Sequence, residues 1–176
     1  HYGNFWAIGA MWKLKQENFL KDVKWLSDLN LRFSTGLSGN ALGGYNHITT
    51  IKPDNFYQGK TAYTVGKLGN PDLRWEEQRK TTVGLNLVVD RGTSFNIEYY
   101  DRETYDMISS RDLNSTTGQV QFYDNAGGMR NRGVDFTFSS VVYRSKNQDL
   151  TVRPYFNVNY NKQEVTALFG NKTSNV

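Results

Sequence analysis

Leu29-Asn30-Leu31-Arg32-Phe33-Ser34-Thr35-Gly36-Leu37-Ser38 puts every large apolar side chain on odd positions and none on even ones. Side chains along a β-strand point alternately to opposite faces, so this stretch has one oily and one wet surface. The pattern recurs. Thr81, Val83, Leu85, Leu87 and Val89 oppose Lys80, Thr82, Gly84, Asn86 and Asp90, with Val88 the one apolar intruder. Val152, Phe156, Val158 and Tyr160 oppose Thr151, Arg153, Asn157, Asn159 and Asn161. Shorter copies are Trp6, Ile8, Ala10, Trp12 and Leu14, then Phe95, Ile97 and Tyr99 against Asn96, Glu98 and Tyr100, then Val134, Phe136 and Phe138 against Asp135, Thr137 and Ser139. The expectation is an all-β chain of about six antiparallel strands.

The links between these strands alternate in length. Gln16 to Asp28 is moderate, with Phe19, Val23 and Leu26 spaced to share one side of a short helix. Gly39 to Gln78 is long, Asp90-Arg91-Gly92 is a tight turn, Ser109 to Arg130 is long again, and Arg144 to Gln148 is short. Outer-membrane barrels have short periplasmic turns and longer extracellular loops, and their strands cross the bilayer in about 9–11 tilted residues. A soluble sandwich gives no reason for long links to fall on one side. The pattern therefore reads as a segment of a transmembrane β-barrel, with residues 39–78 and 109–130 as extracellular loops. Six strands are too few to close such a barrel, so a larger parent or a partner chain is expected. Pro154 fits less well, because within a strand it removes a ladder donor and marks an edge or a bulge.

Composition is consistent with this and excludes several alternatives. The 176 residues include ten Phe, eleven Tyr and four Trp, yet mean hydropathy is negative. No run of about 18 apolar residues exists to form a membrane helix, whereas a barrel's lumen and loops are polar and lower its mean. The absence of cysteine removes disulfides, thiolate metal sites and cysteine nucleophiles. A net charge of +4, dispersed among carboxylates, lacks the basic footprint of a nucleic-acid binder. No Ser-His-Asp arrangement, phosphate loop or nucleotide fingerprint appears, His1 and His47 are too far apart to propose a metal centre, and no cofactor is expected. Asp101 and Glu103 share a strand parity, but two carboxylates on one strand ordinarily share a solvated face rather than an acid–base site.

Four further stretches carry a resemblance. NPDLRWEEQRKTTVGLNLVV at 70–89, FNIEYYDRETYDMI at 95–108, STTG at 115–118 and DNAGGMRNRGVDFTF at 124–138 follow one another in an order and spacing that resembles the C-terminal half of SusC/RagA-like TonB-dependent transporters. FWAIGAMWKLKQENFL and WLSDLNLRFSTGLSGN look like the two preceding strands, so residues 1–176 read as part of one receptor β-barrel domain. The resemblance implies a 22-stranded outer-membrane barrel with an N-terminal plug, energised through TonB and capped by a SusD-like surface lipoprotein that closes over glycan or peptide ligands. It also implies that the plug, the TonB box and the final strand lie outside these residues. Physical reasons accompany the motifs. Asn70-Pro71 favours extended or turn geometry, and Gly127, Gly128 and Gly133 permit close approaches that a side chain would block.

The expected function is import of a nutrient, a glycan or a peptide, rather than an enzymatic reaction. A soluble all-β glycan-binding module is the alternative, and a glycoside hydrolase a third, disfavoured for want of a carboxylate pair. Aromatic faces beside amides suit ligand recognition in the loops. Tyr45, Asn46 and Tyr57 of the first long loop and Tyr123 and Asn125 of the second are the candidate substrate contacts. Arg32, Arg153 and Asn157 read as lumen-facing wall or plug contacts.

Overall fold

The computed structural model describes residues 3–41, 43–44, 46–89, 92–114, 116, 121–145 and 150–168, without the side chains of 55–57. Ten strands are found among them: β1 Trp6–Lys13, β2 Leu26–Asn40, β3 Thr50–Tyr57, β4 Lys60–Lys67, β5 Glu76–Val89, β6 Thr93–Asp112, β7 Gln121–Ser139, β8 Tyr143–Arg144, β9 Thr151–Val152 and β10 Tyr155–Ala167. Six form one sheet in the order β1-β2-β5-β6-β7-β10, antiparallel at every step. The sheet is open, with β1 and β10 at its two edges. The remaining four make two-stranded ribbons inside links, β3 with β4 and β8 with β9.

Register converts the sequence alternation into two faces. One carries transverse rows such as Leu87-Phe95-Phe138-Phe156, Leu31-Leu85-Ile97-Phe136-Val158 and Phe33-Val83-Tyr99-Val134-Tyr160. Phe95 and Phe138 touch with ring centroids 5.0 Å apart. Most of these side chains are exposed, Trp6, Ile8, Phe33, Ile97, Phe156 and Tyr160 among them, and only Leu26 and Tyr100 are buried hydrophobics among the described residues. A wall that keeps its oily surface outside is inside out relative to a soluble domain, where an apolar patch of this extent is rare. Along β2 the run Leu29–Leu37 covers about 19 Å of depth, at ~3.3 Å per residue and a 45° tilt, most of a ~25 Å apolar band.

The opposite face is polar, with the row Asn30-Asn86-Asn96-Thr137-Asn157 as its clearest example. Glycines make room there for long side chains to lie across a neighbouring strand. A Cβ on Gly84 would come within 3.2 Å of the Arg32 guanidinium, which crosses β5 to donate to Asn96 Oδ1 at 3.2 Å and to approach Glu98 at 3.7 Å. A Cβ on Gly133 would fall 2.5 Å from Tyr100 Cζ and from the Tyr160 carbonyl oxygen. The Tyr100 ring therefore lies over Gly133, with the Arg102 guanidinium 4.9 Å from its centroid. Asn30 Oδ1, Arg32 Nε, Thr82 Oγ1, Arg102 Nε and Asn131 Oδ1 are shielded from solvent without a protein partner, and all five belong to this face.

The links depart from expectation in instructive ways. No helix forms between β1 and β2 beyond the 3-10 turn Leu14–Gln16. The Lys15 ammonium instead collects the carbonyls of Leu20, Lys21 and Val23 at 3.0, 3.0 and 2.7 Å, which curls the link around one cation and frees Leu26 to start β2. Residues 109–130, read as a loop, are mostly strand: β6 runs on to Asp112 and β7 begins at Gln121, with pairs Ser109↔Asp124 and Asp112↔Gln121. Alternation is lost there because neither face of a ribbon beyond the apolar band has to be oily. Residues 39–78 likewise contain the β3–β4 hairpin, turned by Gln58 and Gly59 with φ of 49° and 74° as a two-residue hairpin turn requires. Pro154 does interrupt its strand, separating β9 from β10 while its carbonyl accepts from Ser140 N at 3.2 Å. Asp90 and Arg91 of the tight turn lie outside the described residues, and Gly92 has a left-handed φ of 78°. Of Ser115–Gly118 only Thr116 is described.

Candidate functional site: the mouth beyond the apolar band

Above the apolar rows, β6 leaves regular pairing between Thr104 and Met107, and Asp106 takes a left-handed φ of 51° that a non-glycine residue adopts only when held. The holding residue is Asn125. Its Nδ2 donates to the Asp106 carbonyl at 2.7 Å and to the Arg74 carbonyl at 3.0 Å, while its Oδ1 accepts from Arg74 N at 2.7 Å. Glu76 supports the same bulge from β5, with Oε1 accepting from Ile108 N at 2.8 Å and Oε2 from Asn40 Nδ2 at 3.0 Å.

The loop from β4 into β5 is pinned onto this support. Asn70, only 5% exposed, donates from Nδ2 to the Tyr123 carbonyl at 2.9 Å and accepts from Asp72 N at 3.0 Å, closing the turn that Pro71 favours. Its own N–H donates to the Asn46 carbonyl at 2.9 Å. Asn46 is equally buried, donates to the Gly43 carbonyl at 2.7 Å and accepts a hydrogen bond from Lys67 Nζ. The same ammonium sits 4.8 Å from the Tyr123 ring centroid. Beside this network a cleft of ≈ 380 Å³ opens, lined by Asn46, His47, Pro71, Arg74, Trp75 and Ile108 among others.

Three of the five expected site residues, Asn46, Tyr123 and Asn125, are thus brought together from two links. Tyr45 and the side chain of Tyr57 lie outside the described residues. Both asparagine amides are spent on the protein's own groups, and one face of Tyr123 is occupied by Lys67. The groups left facing the cleft are those of His47, Arg74 and Trp75. Sequence reasoning gave no role to Lys67 or Arg74, since single cations in a polar loop carry no pattern; Arg74 and Trp75 both stood in view inside a quoted motif. No cluster of three or more His, Cys, Asp or Glu suited to a metal occurs among the described residues. Asp101 and Glu103 are not a free carboxylate pair. Asp101 is gripped at both oxygens by Arg130, at 2.9 and 2.5 Å, and Glu103 by Arg79 at 3.1 Å and the Tyr105 hydroxyl at 2.6 Å.

The family model for the β-barrel of TonB-dependent receptor-like proteins matches residues 2–176. The chain belongs to the TonB-dependent receptor β-barrel family. Among relatives, it is 31% identical over 169 residues to TonB-dependent receptor P39 of Formosa agariphila, covering 95% of this chain and 16% of that protein. To TonB-dependent receptor SusC of Bacteroides thetaiotaomicron it is 31% identical over 183 residues, covering 98% of this chain and 18% of SusC. Among solved structures, the RagAB peptide importer in its closed-closed state superimposes with a TM-score of 0.85 at 34% identity, over 94% of this chain and 18% of that one. The SusC/RagA resemblance read from the motifs is borne out, and the chain spans under a fifth of the length of these relatives. Barrels of the TonB-dependent receptor family are outer-membrane proteins, and the open sheet is an arc of such a wall, its apolar rows the surface that lipid covers. Neither relative is named as an enzyme.

Proposed function

We propose that the parent TonB-dependent receptor actively imports a nutrient, an oligosaccharide or a peptide, across the outer membrane in concert with a SusD-like surface lipoprotein and with energy delivered through TonB. One observation carries this reading most directly: an antiparallel wall with an apolar outer face, a polar inner face and its longest links at one end, in a chain whose relatives include SusC and the peptide importer RagAB. The long-link end then faces the medium. A soluble glycan-binding module is not favoured, since such a module would not leave this many aromatic and aliphatic side chains exposed.

Cargo would meet this part of the wall at the mouth built by residues 41–75 and 121–125. In that role Asn46 and Asn125 act by fixing the loop, Tyr45, Tyr57 and Tyr123 supply aromatic surface, and Arg74, His47 and Trp75 of the cleft offer a cation, a titratable donor and a ring. Glycan and peptide cargo separate by experiment. The intact receptor is extracted from native membranes, and copurified protein and small molecules are identified by mass spectrometry, alongside growth of a deletion strain on defined peptides and oligosaccharides. Import predicts a copurified surface lipoprotein and a growth defect on one nutrient class. A strain that grows normally on every nutrient in the panel, with no lipoprotein copurifying, would sink the reading.

A further inference from the structure

The apolar face ends in charge. One step above Tyr99, Val134 and Tyr160 the transverse row becomes Thr81-Asp101-Arg132-Lys162, and the next is Arg79-Glu103-Arg130-Glu164. These residues keep the parity of the apolar rows, so they are on the surface that faces lipid. On β1 and β2 the same two rows carry no charge, with Ile8 opposite Thr35 and Trp6 opposite Leu37. The edge of the oily band therefore slopes across the strands, as it must when tilted strands cross a flat membrane.

Arg or Lys on the outer face of a barrel costs about 2–4 kcal/mol at the bilayer midplane but only about 0–1 near the interface. A double row of seven charges is therefore confined to headgroup level. It is not electrically even-handed either. In each ion pair the cation is the more exposed partner: Arg79 54% against Glu103 19%, Arg132 42% and Lys162 62% against Glu164 27%, Arg130 30% against Asp101 21%. The carboxylates lie low against the sheet and the guanidinium and ammonium groups stand over them, so the belt presents positive charge outward. Tyr99 and Tyr160, 41% and 65% exposed, flank it on the apolar side, and Tyr105 flanks it above. Such rings sit well at the polar edge of a bilayer.

We propose that this belt is a binding site for phosphate-bearing lipid headgroups of the outer leaflet, with Arg132 and Lys162 as the principal phosphate contacts and the Tyr99-Val134-Tyr160 row receiving the upper part of the acyl chains. Guanidinium and ammonium groups side by side suit a phosphate monoester or diester, and Glu164 beneath them holds both in place. The inference rests on the membrane placement of the sheet and is independent of what the receptor imports, so nutrient uptake and lipid binding can fail separately.

The intact receptor, delipidated in a neutral detergent, is titrated with didecanoyl phosphatidic acid, didecanoyl phosphatidylcholine or inorganic phosphate, and bound adducts are counted by native mass spectrometry. Phosphatidic acid is expected to be retained preferentially. The Arg132→Gln/Lys162→Gln variant is expected to lose that preference by about tenfold or more, as two basic side chains near an anionic surface imply, whereas Arg102→Gln on the polar face keeps it. Equal retention of the two lipids by the unaltered receptor overturns the proposal without any variant having to fold. So does an undiminished preference in the double variant, and uptake of inorganic phosphate as tight as that of the lipid assigns the affinity to the anion alone and refutes a lipid site.

Discussion

Gly133 and Asn125 show two ways in which a single residue carries the wall. At Gly133 the constraint is volume, since a methyl group would meet both the Tyr100 ring and the Tyr160 backbone. Only the ring can move, so Gly133→Ala should destabilise the folded receptor by about 1–3 kcal/mol, the usual cost of overpacking. Equilibrium urea titration of the refolded protein measures this, and a variant as stable as the parent would show that β7 and β10 have slack. At Asn125 the constraint is hydrogen bonding. Asn125→Ala removes three bonds that join β7, the β6 bulge and Arg74, a loss of about 1.5–4.5 kcal/mol at ordinary values per bond. The loss is local, so the melting of the barrel should hardly change while protease cleavage within residues 41–75 accelerates. Unaltered cleavage would mean the loop is anchored elsewhere.

At the scale of the strand, the two faces respond differently to the same charge. Phe33→Lys or Val83→Lys puts an ammonium in the apolar row next to the charged belt and should cost about 1–3 kcal/mol in bilayer folding, between the interfacial and midplane values. Thr82→Lys, one residue from Val83 on the polar face, should cost much less. Urea titrations in vesicles compare the three, and equal penalties would contradict the assignment of faces.

The same asymmetry explains what was legible in the chain before its structure. Where lipid lies on one side and polar groups on the other, alternation is compulsory, and every central strand could be read from it. Above the band both sides of the β6–β7 ribbon are wet, the constraint disappears, and 109–130 looked like a loop although Ser109–Asp112 pair with Gln121–Asp124 in the β6–β7 ladder. The Lys15 turn was hidden for another reason: three carbonyls converging on one ammonium depend on chain path, not on residue periodicity. The mouth was legible as composition, aromatic and amide, but composition does not reveal whether an amide faces cargo or its own backbone, and Asn46 and Asn125 do the latter.

For the whole molecule, the consequence of an open sheet is two unsatisfied edges. Among the described residues β1 pairs only with β2, and β10 only with β7, along runs of 8 and 13 residues. Residues 1–176 produced alone should therefore fail to give a stable monomer, and should instead associate through those edges. Sedimentation after refolding in detergent tests this, and a monodisperse monomer with full β-sheet circular dichroism would show that the arc is self-sufficient.

β6 and β7 have 20 and 19 residues, against the about 9–11 that a tilted strand needs to cross a bilayer. The surplus runs on past the apolar rows as a hydrogen-bonded beam rooted in the wall itself, braced at its base by Asn125 and Glu76. A hinged cover closing over such a barrel would have in it a fixed doorpost: force applied at the tip would pass down the paired β6 and β7 strands, across the bulge between Thr104 and Met107 that Asn125 and Glu76 brace, into the wall, rather than being dissipated in slack chain.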